Sequence, residues 1–169
     1  MDLTRVVGVF IYGIMMTLTT SNPQETESIA HWMVKQLPPT AIALVGTLGM
    51  GKTCFAKGFI EALGMDKDQV SSPTFSLLHE YDTHPPVLHL DVYRLEAEDL
   101  PNLGLEERID DHIDIEAGFV LVEWADIHPE LMPPSALWIR FSQTENGRTL
   151  EITGPSSTME SLETSLSEL

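Results

Sequence analysis

The string Gly46-Thr47-Leu48-Gly49-Met50-Gly51-Lys52-Thr53 fits G-x-x-x-x-G-K-[ST] at every fixed position and constrains the fold more than any other part of the chain. It is entered from the continuous apolar run Ala41 to Val45, which has the composition of a strand buried on both faces. It leads into a helical pattern from Lys52 to about Leu63, with Gly64 placed to end it. Strand, glycine loop and helix in that order make a cradle whose successive backbone N–H groups converge on a phosphate. The helix N-terminus adds its positive dipole. Lys52 supplies a cation for the β- and γ-phosphates, and the Thr53 hydroxyl is placed for Mg²⁺. By chance the fixed positions match in roughly one chain in two hundred of this length. The flanking strand and helix therefore carry as much of the argument as the motif. Cys54 follows the loop directly and is expected to fill space beneath it, although a thiol at a helix N-terminus is also placed for a lowered pKa.

The rest of the chain supplies elements that would pack around this unit. Leu18-Thr19-Thr20 reads as a short edge strand, and Asn22-Pro23-Gln24-Glu25 as a helix start with cap, N1 proline and capping-box glutamate. Ile29, Met33 and Leu37 line one face of that helix, which stops at Pro38-Pro39. Phe75 to Tyr81 and Val87 to Tyr93 read as strands around His84-Pro85-Pro86. The acidic stretch from Leu95 to Asp111 is helical in pieces, and Phe119 to Trp124 is another buried strand. Ala136 to Phe141 and Thr149 to Thr153 form a hairpin around Asn146-Gly147, and Met159, Leu162, Leu166 and Leu169 mark a last short helix. At 169 residues the chain has room for one such domain. The expected fold class is α/β: a single P-loop NTPase-like domain with a mixed central sheet flanked by helices, spanning residues 16–169.

Residues 1–15 are expected to be an unassigned extension upstream of that domain. Val6 to Met16 is apolar except for Gly8, Tyr12 and Gly13, far short of the roughly 20 residues a spanning helix needs. In length it resembles a signal-peptide core, but Asp2 spoils a basic leader and no small-x-small cleavage site follows. An extra strand is the other alternative. A single cysteine cannot close an internal disulfide, so nothing in the chain requires an oxidising compartment, and a cytoplasmic location is expected.

A phosphate loop that works on a nucleotide needs a carboxylate from a neighbouring strand. Two are offered: Asp91 closes the run Val87-Leu88-His89-Leu90, and Glu123 closes Val120-Leu121-Val122. Ligands of open α/β sheets lie beyond the carboxyl ends of the strands, so both acids can converge on the loop. One can serve Mg²⁺ while the other orients or deprotonates the attacking water. Trp124 is placed to brace Glu123 or to pack on a base. His79, His84 and His89 lie close in sequence but match no zinc spacing. Nine Lys and Arg against 26 Asp and Glu give a formal net charge of −17, which excludes a protein that grips nucleic acid by broad phosphate neutralisation. A small-molecule kinase is the alternative reading, although no basic lid segment is present. A GTP-dependent switch would carry N-K-x-D, and that string is absent.

Several further strings accompany the loop: Ser72-Pro73-Thr74-Phe75, His89-Leu90-Asp91-Val92-Tyr93-Arg94-Leu95, Leu100-x-x-Leu103-Gly104-Leu105, Val122-Glu123-Trp124 and Gly147-Arg148. In this order, from about Thr17 to Thr153, the chain resembles the bacterial TsaE (YjeE) family, the ATPase subunit of the tRNA threonylcarbamoyladenosine machinery. The resemblance implies Mg²⁺-dependent ATP hydrolysis in service of the complex that modifies adenosine 37 of tRNA. The partners it implies are the transferase subunit and its paralogous partner, with no direct tRNA binding and no membrane. It also implies that Gly46 to Cys54 line the ATP, joined by Arg148 as a candidate for phosphate charge. Thr53 and Glu123 then hold Mg²⁺, Asp91 handles the attacking water, Lys52 and Glu123 share the catalytic work, and Thr74 lies in a switch-like loop. Trp124 lies near the nucleotide. The chain departs from the family in three places: Thr47 stands where Asp is usual, Met50 replaces a small residue, and residues 1–15 have no counterpart.

Overall fold

A computed structural model describes residues 10–12 and 15–168. One eight-stranded sheet runs β1 (Phe10–Tyr12), β2 (Met15–Thr20), β8 (Gly147–Thr153), β7 (Leu137–Thr144), β3 (Ala41–Val45), β6 (Phe119–Glu123), β5 (Val87–Asp91), β4 (Leu78–Tyr81). The four central strands β7, β3, β6 and β5 are parallel, and antiparallel strands extend the sheet on both sides. This is the α/β, mixed-sheet P-loop architecture expected from the sequence. The central β3, β5 and β6 are buried at every position, as parallel strands covered on both faces must be.

Helices α1 (Pro23–Gln36), α2 (Lys52–Ala62) and α5 (Ser156–Ser167) cover one face. Ile29, Met33, Phe55, Phe59, Met159 and Leu162 there meet Ile42, Leu44, Phe119 and Leu121. On the other face Ala43, Val45, Leu90 and Val122 pack against Leu105 and Ile109 of α4 (Leu105–Asp114), which follows the single turn α3 (Leu100–Leu103). Asn22 caps α1 as its sequence indicates: its side chain accepts the Glu25 N–H at 3.0 Å, while Glu25 reaches back to the Ser21 N–H at 2.6 Å. Such a cap contributes about 1 kcal/mol. Gly64, at φ 99°, ends α2.

Four boundaries differ from the sequence expectation. The strand expected from Phe75 begins only at Leu78, because the Ser76 and Leu77 N–H groups close a turn onto the Pro73 carbonyl at 3.0 and 2.7 Å. The strand expected to run to Tyr93 stops at Asp91, where the Tyr93 N–H bonds the Asp91 carboxylate at 3.1 Å. The β7–β8 turn is centred on Glu145-Asn146 rather than Asn146-Gly147, with Gly147 already paired to Thr144. Any side chain at 147 would begin 2.0 Å from the Thr20 carbonyl oxygen, so the glycine serves the β2–β8 contact instead of the turn. Finally, β2 begins at Met15 rather than Leu18: Met15–Thr17 pair with β1 on one side and β8 on the other, while Leu18–Thr20 pair with β8 alone among the described residues and keep the edge character expected of them. Of the expected extension, Phe10–Tyr12 forms β1; residues 1–9 and 13–14 lie outside the described residues, as does Leu169. Among the described residues no helix is long and apolar enough to cross a membrane.

Candidate nucleotide site

The ends of β3, β5 and β6 open onto a cleft of about 260 Å³, bordered by the loop on one side and strand-end acids on the other. Gly46, Gly49 and Gly51 take φ of 147°, 79° and 104°, values at which an L side chain is strained, so the loop winds tightly between Val45 and Lys52. The Lys52 ammonium turns back to donate to the Gly46 and Thr47 carbonyls at 2.6 and 3.1 Å, tying the loop's entrance to its exit. The same ammonium lies 3.6 Å from the centre of a Trp124 ring. Burial holds the Lys52 pKa below the ordinary lysine range, against the opposing pull of Glu123, Asp91 and Asp126.

Asp91 and Glu123 are register partners on adjacent parallel strands, so both carboxylates reach the cleft from the same face of the sheet. Glu123 accepts the Thr53 hydroxyl at 2.8 Å through one oxygen and is 3.0 Å from His89 Nε2 through the other. Asp91 accepts three donors: the Tyr93 N–H, the Ser72 hydroxyl at 3.0 Å and the Thr74 hydroxyl. The Pro73 turn that shortens β4 is what carries Thr74 to Asp91. Trp124 sits at φ 63°, a strained conformation for a bulky residue. It is secured by its N–H on the Leu44 carbonyl at 2.9 Å and by Tyr93, whose ring lies 4.6 Å away.

The remaining residues singled out by sequence divide into those at the cleft and those facing elsewhere. Arg148, from β8, reaches the loop so closely that a side chain on Gly51 would begin 3.2 Å from its guanidinium. Leu48 is exposed at the loop tip, Thr47 is exposed beside it, and Met50 packs onto the core. Cys54 lies at the cleft's rim, but its thiol points to the Pro23 carbonyl and Glu27, at 3.5 and 3.7 Å. Burial, reinforced by Glu27, pushes that thiol up to about 11, the opposite of a helix-activated cysteine. Ser72 and His89 touch the two acids although neither stood out as a site residue in the sequence. The available signal was positional, since a histidine two residues before Asp91 in an apolar strand shares its face.

The cleft's oxygen donors suit a hard cation. The hydroxyl–carboxylate pair of Thr53 and Glu123 matches Mg²⁺, which takes one or two protein oxygens and completes its shell with water and phosphate. Among the described residues no cluster of three or more His, Cys, Asp or Glu forms a dedicated metal cage.

Comparison with known proteins gives a consistent result. A family model described as "Threonylcarbamoyl adenosine biosynthesis protein TsaE" matches residues 20–150. The tRNA threonylcarbamoyladenosine biosynthesis protein TsaE of Bacillus subtilis (strain 168) is 43% identical over 122 residues, covering 71% of this chain and 73% of the relative. The protein of the same name from Rickettsia felis is 32% identical over 136 residues, covering 79% and 76%. The crystal structure of YdiB from Bacillus subtilis superposes with a TM-score of 0.70 at 28% identity, over 95% of this chain and 97% of that one.

Proposed function

This chain belongs to the TsaE family, and from that premise we propose that it is an Mg²⁺-dependent ATP hydrolase required for threonylcarbamoylation of adenosine 37 in tRNA. It acts on the transferase subunit and its paralogous partner rather than on tRNA. The observation that carries this reading is the facing of Gly46–Thr53 by two register-paired carboxylates across one cleft. Lys52 and the loop amides bind the ATP phosphates, and Arg148 adds charge from β8. Thr53 and Glu123 would hold Mg²⁺, which neutralises charge on the phosphate oxygens. Asp91, its plane fixed by Ser72, Thr74 and the Tyr93 N–H, orients the attacking water and takes its proton. Thr74 couples the Pro73 turn to that carboxylate and is the switch element.

Besides Lys52, only Arg148 among the described lysines and arginines borders the cleft. Charge stabilisation in the transition state is therefore incomplete, and hydrolysis by the isolated chain is slow. The net charge of −17 keeps tRNA away, so the chain meets it only through the transferase complex. The test is hydrolysis of ATP and GTP by the purified chain, alone and with the transferase pair, in the presence and absence of small acceptors. ATP turnover that rises with the pair and needs no acceptor is expected. Phosphate transfer to an acceptor would instead establish the kinase reading.

A further inference from the structure

We propose that His89 is a positioning residue for Glu123: its Nε2–H holds one carboxylate oxygen so that the other stays directed at Thr53 and the Mg²⁺ position. The inference rests on the ATPase reading above and adds a residue to it. His89 is wholly buried in the middle of β5, a polar side chain in a strand whose neighbours Val87, Leu88 and Leu90 are apolar. Buried polar groups in native proteins are paired, and here the pairing is selective. His89 Nε2 lies 3.0 Å from Glu123 Oε1, while Oε2 of the same carboxylate takes the Thr53 hydroxyl at 2.8 Å. His89 Nδ1 has no hydrogen-bond partner among the described residues. The tautomer with its hydrogen on Nε2 therefore satisfies the one acceptor present. The opposite tautomer would bury an unpaired N–H and set a ring lone pair against a carboxylate oxygen.

The sheet accounts for this placement. Asp91 pairs with Glu123 and His89 with Leu121, so His89 is the diagonal neighbour of Glu123 on the same face. The Tyr81 ring, 6.4 Å from the imidazole, covers it from β4. Asp91, two residues on, has its own three donors and does not share His89. Each acid of the cleft is thus oriented by a separate set, and the one assigned to Mg²⁺ is gripped by a rigid strand. Partners of this kind, standing behind a metal's own ligands, typically alter metal affinity 10- to 100-fold when removed.

The test titrates the full chain, His89→Leu and His89→Gln with a methylanthraniloyl-labelled ATP, with and without Mg²⁺, while circular dichroism monitors folding. In His89→Leu the Mg²⁺-dependent gain in affinity should fall by about 10- to 100-fold with Mg²⁺-free affinity unchanged. His89→Gln, which restores an N–H donor, should recover most of it. An undiminished gain in a folded His89→Leu overturns the proposal and leaves the ATPase reading intact. A native chain with no Mg²⁺-dependent affinity overturns both. If His89→Leu fails to fold, long-range ¹H–¹⁵N spectra of the native imidazole, without nucleotide, decide the matter. A hydrogen on Nε2 whose signal moves in Glu123→Gln supports the proposal, and a hydrogen on Nδ1 overturns it.

Discussion

The loop Gly46–Thr53 is one unbroken stretch of chain shaped by its own glycines, whereas the wall it faces is assembled from three distant places. Asp91 comes from β5, Glu123 from β6 and Thr74 from the Pro73 turn, brought together by sheet register and four side-chain hydrogen bonds. A loop whose conformation is local tolerates changes elsewhere in the fold. A wall set by register does not, because a one-residue slip of β5 against β6 would send Asp91 to the opposite face. From this difference we expect a division of labour in which the loop, with Glu123 for its Mg²⁺, supplies affinity and Asp91 with its donors supplies turnover.

That division can be attacked from either side. Lys52→Ala should have the largest effect, reducing hydrolysis to background and weakening ATP binding, because the ammonium ties the loop together and is the cation proposed for the phosphates. Full activity in this variant would dissolve the assignment of the loop. On the wall, Thr74→Ala removes one of three donors to Asp91 and should slow hydrolysis by about 10-fold, the equivalent of roughly one hydrogen bond. Its ATP affinity, measured by calorimetry, should stay native.

Away from both walls the expected effects shrink. A chain beginning at Met16, without residues 1–15, should bind ATP normally and melt within about 4 °C of the full chain. Loss of folding would show that β1 is a needed cover for β2. Cys54→Ala should change hydrolysis less than about twofold, as for substitutions outside the working groups. Because burial raises the Cys54 pKa, the thiol stays protonated through neutral pH, and its contribution to stability is complete below pH 9.0 and fades as pH rises through about 11. Alkylation by iodoacetamide should follow the same profile; a rate already at its plateau at pH 9 would contradict it.

The contrast between local and assembled structure also explains what could be read from the sequence. The loop, its strand and its helix were legible because a contiguous motif and adjoining apolar runs encode them, and Asn22 announced α1 in the same way. Asp91 and Glu123 were legible as strand ends, but their register pairing was not, since it depends on β5 and β6 lying side by side. Ser72 and His89 stand within the quoted motifs, yet no site role can be read for them from the sequence for the same reason: their importance lies in the carboxylate each one touches. The strand expected from Phe75 failed because Pro73 draws the chain into a turn that serves Asp91, a tertiary demand stronger than the apolar pattern. Gly147 misled because its small size is used against Thr20 and not in the hairpin turn beside it.

Asp91→Asn tests the division of labour most directly, with ATP affinity and ATP turnover measured on the same sample in the presence of the transferase pair. The substitution keeps the size of the side chain and an oxygen for the Ser72 and Thr74 hydroxyls while removing the group proposed to take the water's proton. Affinity should remain in the native range while turnover falls by about 100-fold or more. Affinity that collapses with turnover would place Asp91 in the metal shell and exchange its role with that of Glu123, and unchanged turnover would contradict the account of this wall altogether.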